Sequence, residues 1–269
     1  MTNKTIIITG ASSGIGLALA KHLASKGANL VLGARKYISL CEIAEQLEKE
    51  YRVRAVAVAC DVSNEEDCKQ LINQALLTFG RIDVLINNAG ISMRALFKDL
   101  DLTVLKQLMD VNFWGTVYCT KYALPSLLEH GGSVVGVSSI AGYRGLPGRT
   151  GYSASKFAMN GFMESLRVEN LKTHLHVMLA CPGFTASNIR NTALNQDGQQ
   201  FGETSMEEEK MMTAEEVAER IVKGIAQRKR TLILTGQGKL AVLMNKLVPA
   251  WVDKKVFALF AKEKNPLIK

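Results

Sequence analysis

Residues 5–24 read T-I-I-I-T-G-A-S-S-G-I-G-L-A-L-A-K-H-L-A, and this stretch decides the fold class. The β-branched run at residues 5–9 predicts a buried strand, and the apolar spacing after Gly16 predicts an amphipathic helix. Glycines between them permit a tight turn and let backbone N–H groups approach a pyrophosphate at the helix N-terminus. Gly-rich turns also occur without a ligand, but a turn between a strand and a helix favours a nucleotide site. Its candidate residues are Gly10, Ser12, Ser13, Gly14, Ile15 and Gly16.

Short β-branched runs alternate with helix-length segments along the chain. The further runs are N-L-V-L-G from Asn29, V-R-A-V-A-V from Val53, D-V-L-I-N from Asp83, S-V-V-G-V-S from Ser133 and H-V-M-L-A from His176. Such alternation is typical of βαβ units around a parallel sheet. No internal repeat or Gly/Ser-rich linker divides the chain. We therefore predict one α/β domain over residues 1–269, a Rossmann fold whose doubly wound parallel sheet has about seven strands.

Two segments depart from this alternation. Residues 184–212 are polar and follow a predicted strand at the end where ligands bind, so we expect a substrate lid there. Residues 239–269 carry apolar residues at helical spacing on both sides of Pro249, which predicts a C-terminal extension of two amphipathic helices. The spaced residues are Leu240, Leu243, Met244, Leu247, Trp251, Val252, Val256, Leu259 and Phe260.

Composition and charge exclude several classes of protein. The chain has 47% apolar and 22% charged residues, which argues against disorder. Of the formal net charge of +8, residues 239–269 contribute seven lysines against Asp253 and Glu263. The rest is close to neutral, which argues against a nucleic-acid surface.

The location of the protein is predicted from its cysteines and apolar stretches. The five cysteines are scattered, as expected of free thiols in a reducing compartment. The apolar run after Met1 is too short for a signal peptide, and no stretch reaches the roughly 18 apolar residues of a membrane-spanning helix. We therefore expect a cytoplasmic protein.

The end of the second predicted strand indicates which nicotinamide cofactor is bound. It ends at Arg35 and Lys36, where a carboxylate would bind the ribose of NAD and repel a 2′-phosphate. Arginine offers that phosphate a planar fork of donors, so NADP(H) is favoured, although both cations can also be solvated loop residues. Asp61, after the third strand, is a candidate for binding the adenine amine or for capping the next helix, and we assign its neighbour Val62 to the same site.

Tyr152 and Lys156 are four residues apart in G-Y-S-A-S-K, so on a helix they share one face. A nearby lysine cation favours the phenolate and lowers the pKa of the tyrosine toward the range of a general acid or base. The same spacing occurs by chance on many helices, so the pair alone is a weak signal.

Other motifs accompany the pair: T-G-A-S-S-G-I-G from Thr9, N-N-A-G from Asn87, N-F-W-G from Asn112, S-S-I-A-G from Ser138 and P-G-F-T from Pro182. In their order and spacing, over nearly its full length, the chain resembles the short-chain dehydrogenase/reductases, in particular their NADP(H)-preferring carbonyl reductase and hydroxysteroid dehydrogenase-like members. The resemblance implies a catalytic serine 13 residues before Tyr152, which selects Ser139 over Ser138.

The resemblance implies a role for each matching position. Tyr152 would protonate the carbonyl oxygen as hydride arrives from the nicotinamide, and Ser139 would hydrogen-bond the same oxygen. Lys156 would hold the nicotinamide ribose, and Asn112 would bind a water that links Lys156 to solvent. The remaining implied cofactor contacts are Asn88, Ala89 and Gly90 under the adenine ribose and Val111, Pro182, Gly183 and Thr185 around the nicotinamide.

The chain departs from the family pattern at two positions. Many relatives place a threonine where this chain has Ser187, which leaves the choice between Thr185 and Ser187 open. Some NADPH-preferring relatives carry a basic residue at the position of Ser13, which leaves Arg35 and Lys36 as the main phosphate readers.

Several histidines and cysteines suggest no chemistry of their own. His174 and His176 form an H-x-H pattern without a third ligand nearby, so ordinary hydrogen bonds are expected rather than a metal site. Cys181 is expected to be a buried, inert thiol.

The predicted substrate is a hydrophobic ketone, such as a steroid, a 3-keto lipid or an aromatic carbonyl compound. This follows from the few charges among the expected pocket residues, which are the lid, Ile140, Ala141, Tyr143, Leu146 and the tail helices. Two other functions remain: an NADP(H)-binding sensor or scaffold without turnover, and epimerisation or dehydration of a nucleotide sugar. The full catalytic set argues against the first, and the glycine spacing argues against the second.

Two kinds of partner are expected. Relatives often assemble through the helices that contain Asn112 and Tyr152, so the resemblance implies a homodimer or homotetramer. The lysine-rich tail, with Trp251 and Phe260 on an apolar stripe, can lie on a membrane surface, although packing on the body or on another subunit is the commoner use of such a stripe.

Overall fold

Seven parallel strands form one sheet in the computed structural model, which describes residues 1–185, 189–202, 211–263 and 265–268. The spatial order is β3-β2-β1-β4-β5-β6-β7. The strands are β1 (Thr5–Thr9), β2 (Asn29–Ala34), β3 (Ala55–Ala59), β4 (Val84–Asn87), β5 (Ser133–Val137), β6 (His176–Cys181) and β7 (Thr231–Ile233). The predicted Rossmann fold is confirmed. The order reverses between β1 and β4, where sheets of this kind bind their ligands.

Helices cover both faces of the sheet. They are α1 (Gly14–Ala24), α2 (Tyr37–Tyr51), α3 (Glu65–Phe79), α4 (Leu102–Met109), α5 (Gly115–Glu129), α6 (Thr150–Glu169), α7 (Ala214–Ala226), α8 (Gly236–Leu247) and α9 (Pro249–Phe260). Alternate residues of β1 point to opposite sides: Ile6 and Ile8 pack with α1, α2 and α7, whereas Ile7 packs with α3, α5 and α6. Burial on both faces explains why the strands read as continuous apolar runs.

Local sequence sets the elements nearest the predicted site. One turn of π-helix, Asp110–Trp114, joins α4 to α5 and turns Asn112 into the protein, where it is fully buried. Such single turns occur often at functional sites. In the tail, Pro249 stands at the first position of α9, so the predicted helical extension is present. Within the described residues, no helix has the length and apolar character needed to cross a membrane.

Candidate active site

A large cleft of about 1750 Å³ opens at the carboxyl ends of the strands, on both sides of the switch point between β1 and β4. It brings together most of the predicted site residues. Those lining it are Gly10, Ser12, Ser13, Gly14, Ile15, Arg35, Lys36, Asp61, Val62, Asn88, Ala89, Gly90, Val111, Ser139, Tyr152, Lys156, Pro182, Gly183 and Thr185. Gly16 and Asn112 lie behind the wall, where they shape and support it.

Ser139 and Tyr152 meet on one wall of the cleft. Ser139 follows β5 and Tyr152 lies on the first turn of α6, and both side chains line the cleft. The hydroxyl oxygen of Ser139 accepts a hydrogen bond of 3.1 Å from the backbone N–H of Ala141. Ser138 points elsewhere, since its hydroxyl donates to Asn160 Oδ1 at 2.6 Å in the interior. The geometry therefore offers one serine and one phenol to a single substrate oxygen.

Lys156 lies one turn beyond Tyr152 and is almost fully buried, with 3% of its surface exposed. Its ammonium donates a hydrogen bond of 2.9 Å to the carbonyl of Val137 and lies 5.9 Å from the centre of the Tyr152 ring. Burial lowers the pKa of Lys156 to about 8. No acidic side chain of the described residues pairs with it.

The pKa of Tyr152 differs from the expectation drawn from the sequence. Burial raises it, while the Ser139 hydroxyl and the positive charge of Arg149 oppose the rise. Lys156 was expected to supply the opposing charge, but its ammonium is held by Val137. Burial therefore favours the protonated form of the phenol, which can donate a proton.

Asn112 connects three parts of the site through its side-chain amide. Its Oδ1 accepts from the backbone N–H of Ile91 at 2.8 Å, and its Nδ2 donates to the Ile91 carbonyl and to Ser155 Oγ, both at 2.9 Å. A Cβ added at Gly90 would lie 3.1 Å from Asn112 Oδ1 and 3.5 Å from Lys156 Nζ. Gly90 thus keeps open a space that both polar atoms border, where the resemblance implies a water.

The glycine turn has the shape that a pyrophosphate requires. Gly10 and Gly14 adopt φ angles of +67° and +53°. A Cβ at Gly16 would lie 2.1 Å from the Gly10 carbonyl oxygen, so no other residue fits there. The first turn of α1 has no acidic side chain, and the Ser13 side chain does not cap the helix. Its backbone N–H groups are therefore available to an anion.

Two further groups of predicted contacts surround the position of the nucleotide. Arg35 and Lys36, directly after β2, are exposed and form no ion pair with the described residues. Asp61 accepts hydrogen bonds from the Ser63 backbone and hydroxyl at 3.0 and 2.7 Å. The alternative role of Asp61 as a helix cap is wrong, because Asn64 caps α3. The carboxylate of Asp61 still lines the cleft.

Part of the segment predicted to be a lid lines the cleft. Thr185 is buried, its hydroxyl donates to the Gly183 carbonyl at 3.3 Å, and its own carbonyl accepts from Arg190 at 2.8 Å. Ser187 lies outside the described residues, as do residues 186, 188 and 203–210 of this segment. The described lid residues that line the cleft are Phe184, Thr185, Ile189, Arg190, Thr192, Leu194, Gly198, Gln200, Met211 and Met212.

The wall of the substrate end is more charged than predicted. Arg149 is buried three residues before Tyr152, and its guanidinium donates to Ser92 Oγ at 3.3 Å and to the Met93 carbonyl at 3.1 Å. Arg94 pairs with Glu263 at 3.1 Å, with both side chains less than 10% exposed. Tyr143, expected in the pocket, instead packs against the core. The three buried arginines escaped prediction because only the fold brings residues 94, 149 and 190 together.

His176 and Cys181, set aside in the sequence analysis, both lie in the interior. His176 is buried with its ring nitrogens 3.0 Å from Ser133 Oγ and 2.9 Å from the Lys229 carbonyl. The thiol of Cys181 is buried, and burial raises its pKa to about 12. No cluster of potential metal ligands occurs among the described residues.

Comparisons with known sequences give one family. A sequence model described as short chain dehydrogenase matches residues 4–198. "11-beta-hydroxysteroid dehydrogenase 1A" of Arabidopsis thaliana is 34% identical over 93% of this chain and 73% of that protein. "Dehydrogenase/reductase SDR family member 7B" of Xenopus tropicalis is 33% identical over 93% of this chain and 83% of that protein. The chain spans only 61% of the length of a third relative, "11-beta-hydroxysteroid dehydrogenase A" of Sesamum indicum, at 38% identity over 79% of this chain.

Solved structures share the same architecture. An alcohol dehydrogenase from the archaeon Thermococcus sibiricus, complexed with 5-hydroxy-NADP, aligns over 86% of this chain and 95% of its own, with a TM-score of 0.76 and 28% identity. A short chain dehydrogenase/reductase from Burkholderia phymatum, in complex with NAD, aligns over 93% and 95% with a TM-score of 0.83. At 23% identity, the second shows likeness of fold alone.

Proposed function

Because the chain belongs to the short-chain dehydrogenase/reductase family of oxidoreductases, we propose that it interconverts a ketone or aldehyde and the corresponding alcohol with NADP(H). Two of the relatives named above are 11-beta-hydroxysteroid dehydrogenases by name, which supports the hydroxysteroid dehydrogenase-like branch of that family. One observation carries the proposal: Ser139, Tyr152 and buried Lys156 line the same cleft as the glycine turn. Bound NADPH would supply the hydride.

The side chains divide the remaining work of the reduction. Ser139 and Tyr152 bind the substrate oxygen and orient the carbonyl carbon toward the cofactor position. As negative charge grows on that oxygen, Tyr152 delivers its proton and Ser139 stabilises the charge by hydrogen bonding. Lys156 would hold the nicotinamide ribose. Asn112 would hold a water beside Gly90 that passes a proton from solvent to Lys156, which passes one to the Tyr152 phenolate. Alcohol oxidation follows the same steps in reverse.

The preference for NADP(H) is part of the proposal. Arg35 and Lys36 are unpaired cations, among the described residues, at the end of β2, and they line the cleft. A 2′-phosphate placed there would accept charge-assisted hydrogen bonds from Arg35. Arg35→Glu is therefore expected to weaken NADPH binding about 10- to 100-fold and to leave NADH binding nearly unchanged. An equal loss for both cofactors in fluorescence titration would assign Arg35 to the fold rather than to the phosphate.

The proposed substrate is a carbonyl compound with a hydrophobic body. Support comes from the apolar parts of the cleft wall, which include Ile140, Leu146, Val252, Val256 and Phe260. Relatives named as hydroxysteroid dehydrogenases also support a substrate of this kind. Arg149 and Glu263 add polar positions to the same wall.

We also propose the organisation in which the reaction takes place. The whole chain acts as one domain, and segment 184–212 covers the substrate. A homo-oligomer forms through the π-helical turn, α5 and α6, where Trp114 of the turn and Phe157 of α6 are exposed. All five cysteines are free thiols, which favours the reducing cytoplasm.

The decisive experiment is NADPH oxidation at 340 nm against steroid ketones, 3-keto lipids, aromatic aldehydes and sugars, with NADH in parallel. Turnover that falls by about 100-fold or more in Tyr152→Phe would support the proposal. NADPH binding without turnover on every compound would instead support a cofactor-binding sensor.

A further inference from the structure

The outer sides of α8 and α9 form a surface that the proposed reaction does not use. We call it the tail surface. It comprises Leu240, Leu243, Leu247, Val248, Trp251, Phe257 and Leu259, all between 40% and 67% exposed, together with exposed Lys239, Lys246, Lys254 and Lys255. Of the seventeen large apolar residues that are exposed in the described chain, seven lie between Leu240 and Leu259. Such a concentration marks a site of interaction.

The tail surface is held firmly on the body of the protein. Arg144 donates to Asn245 Oδ1 at 2.9 Å and also pairs with Asp253, while Asn245 Nδ2 donates to the Tyr143 carbonyl at 3.1 Å. Val252 and Phe260 point inward and are 5% exposed. These contacts fix the inner side of the helices against the body, so the apolar side chains on the opposite side face outward.

Charge decides which occupant fits this surface. Asp253 is the one acidic residue between Gly236 and Phe260, and it is already paired with Arg144. A second copy meeting the same surface through a two-fold axis would set lysine against lysine. An anionic bilayer is complementary, since apolar side chains enter the boundary of the acyl chains while the lysines contact lipid phosphates and carboxylates. Trp251 suits this boundary, and Lys255 lies 5.3 Å from its ring centre.

We propose that α8 and α9 bind the protein peripherally to an anionic membrane surface. The inner sides of the same helices line the cleft through Ala241, Val252 and Val256. A carbonyl substrate dissolved in the bilayer then reaches Tyr152 along the helices that hold the protein on that bilayer. The membrane binding itself does not depend on turnover, whereas this route to Tyr152 rests on the proposed function.

Vesicle flotation of the full chain tests it, with vesicles of pure phosphatidylcholine and vesicles containing 30% phosphatidylserine. We expect the protein to float with the anionic vesicles and to remain at the bottom with the neutral ones. Leu247→Glu/Trp251→Glu should abolish flotation, and Lys246→Glu/Lys254→Glu should weaken it about five-fold or more for each lysine.

A matched control places the same change on another surface. Leu77→Glu/Leu171→Glu alters two apolar residues that are 82% and 72% exposed, away from the tail, and should float like the unmodified protein. Retained NADPH binding shows that each variant is folded. The proposal is overturned if the unmodified protein fails to float. It is also overturned if Leu247→Glu/Trp251→Glu and the control Leu77→Glu/Leu171→Glu lose vesicle binding equally. It is also overturned if Leu247→Glu/Trp251→Glu converts a dimer into a monomer in light scattering, since a second copy would then occupy the surface.

Discussion

Replacing Lys156 with methionine should stabilise the cofactor-free protein while abolishing its activity. The ammonium is almost fully buried, and its one hydrogen bond from the described residues goes to the Val137 carbonyl. Burial depresses its pKa from 10.5 to about 8. Because one pKa unit corresponds to about 1.4 kcal/mol, keeping this charge in the folded state at pH 7 costs about 3 kcal/mol relative to the unfolded chain. Methionine fills a similar volume without that cost.

The pH dependence follows from the depressed pKa. Below pH 8 the lysine is charged in both states, and the penalty is fully present. Between pH 8 and 10.5 the unfolded chain binds more protons than the folded one, so the stability of the unmodified protein rises with pH. The advantage of Lys156→Met should therefore be about 2–3 kcal/mol at pH 7 and should shrink toward zero near pH 10.

Urea denaturation of both proteins without cofactor, at pH 7 and pH 9.5, measures this difference. Exposed Lys172→Met, on the surface after α6, is the matched control and should change stability by less than about 0.5 kcal/mol. If Lys156→Met is less stable than the unmodified protein at pH 7, or if the difference is the same at both pH values, burial of the Lys156 charge does not destabilise the folded protein.

Three other perturbations test the walls of the cleft. Gly16→Ala should lower NADPH affinity at least about ten-fold in fluorescence titration, because its Cβ would lie 2.1 Å from the Gly10 carbonyl oxygen. The control Gly161→Ala has open space at its Cβ and should leave NADPH affinity unchanged. Gly90→Ala should lower kcat about 100-fold by filling the space between Asn112 and Lys156; unchanged kcat would place the proton relay elsewhere. Glu263→Gln should destabilise the protein by about 3 kcal/mol, because it leaves the buried Arg94 without its carboxylate. Asp253→Asn removes the exposed partner of Arg144 and should lower stability by less than about 1 kcal/mol. Equal losses of stability for Glu263→Gln and Asp253→Asn in thermal denaturation would contradict this ranking.

The sequence predicted what local patterns and motif spacing determine. Buried parallel strands read as continuous apolar runs, so six of the seven strands could be identified, while β7 has only three residues and no such run. The glycine turn and the shared face of Tyr152 and Lys156 likewise follow from neighbouring residues.

Other features depend on contacts between distant parts of the chain. The Arg94–Glu263 pair joins residues 169 positions apart, and no periodicity marks either partner. Arg149, rather than Lys156, opposes the rise in the pKa of Tyr152. This could not be predicted from the sequence, because it depends on burial and on the hydrogen bond from Lys156 to the Val137 carbonyl. Asn64 rather than Asp61 caps α3 because the chain continues for three more residues before the helix begins.

The central claim is that Tyr152 protonates a carbonyl oxygen while NADPH supplies the hydride. Single-turnover oxidation of NADPH, with a ketone found in the substrate panel, tests it most directly when the unmodified protein is compared with Tyr152→Phe. We expect equal NADPH affinity and a rate reduced by about 100-fold or more in the variant. A variant that binds NADPH equally well and reduces the ketone at the unmodified rate would contradict it.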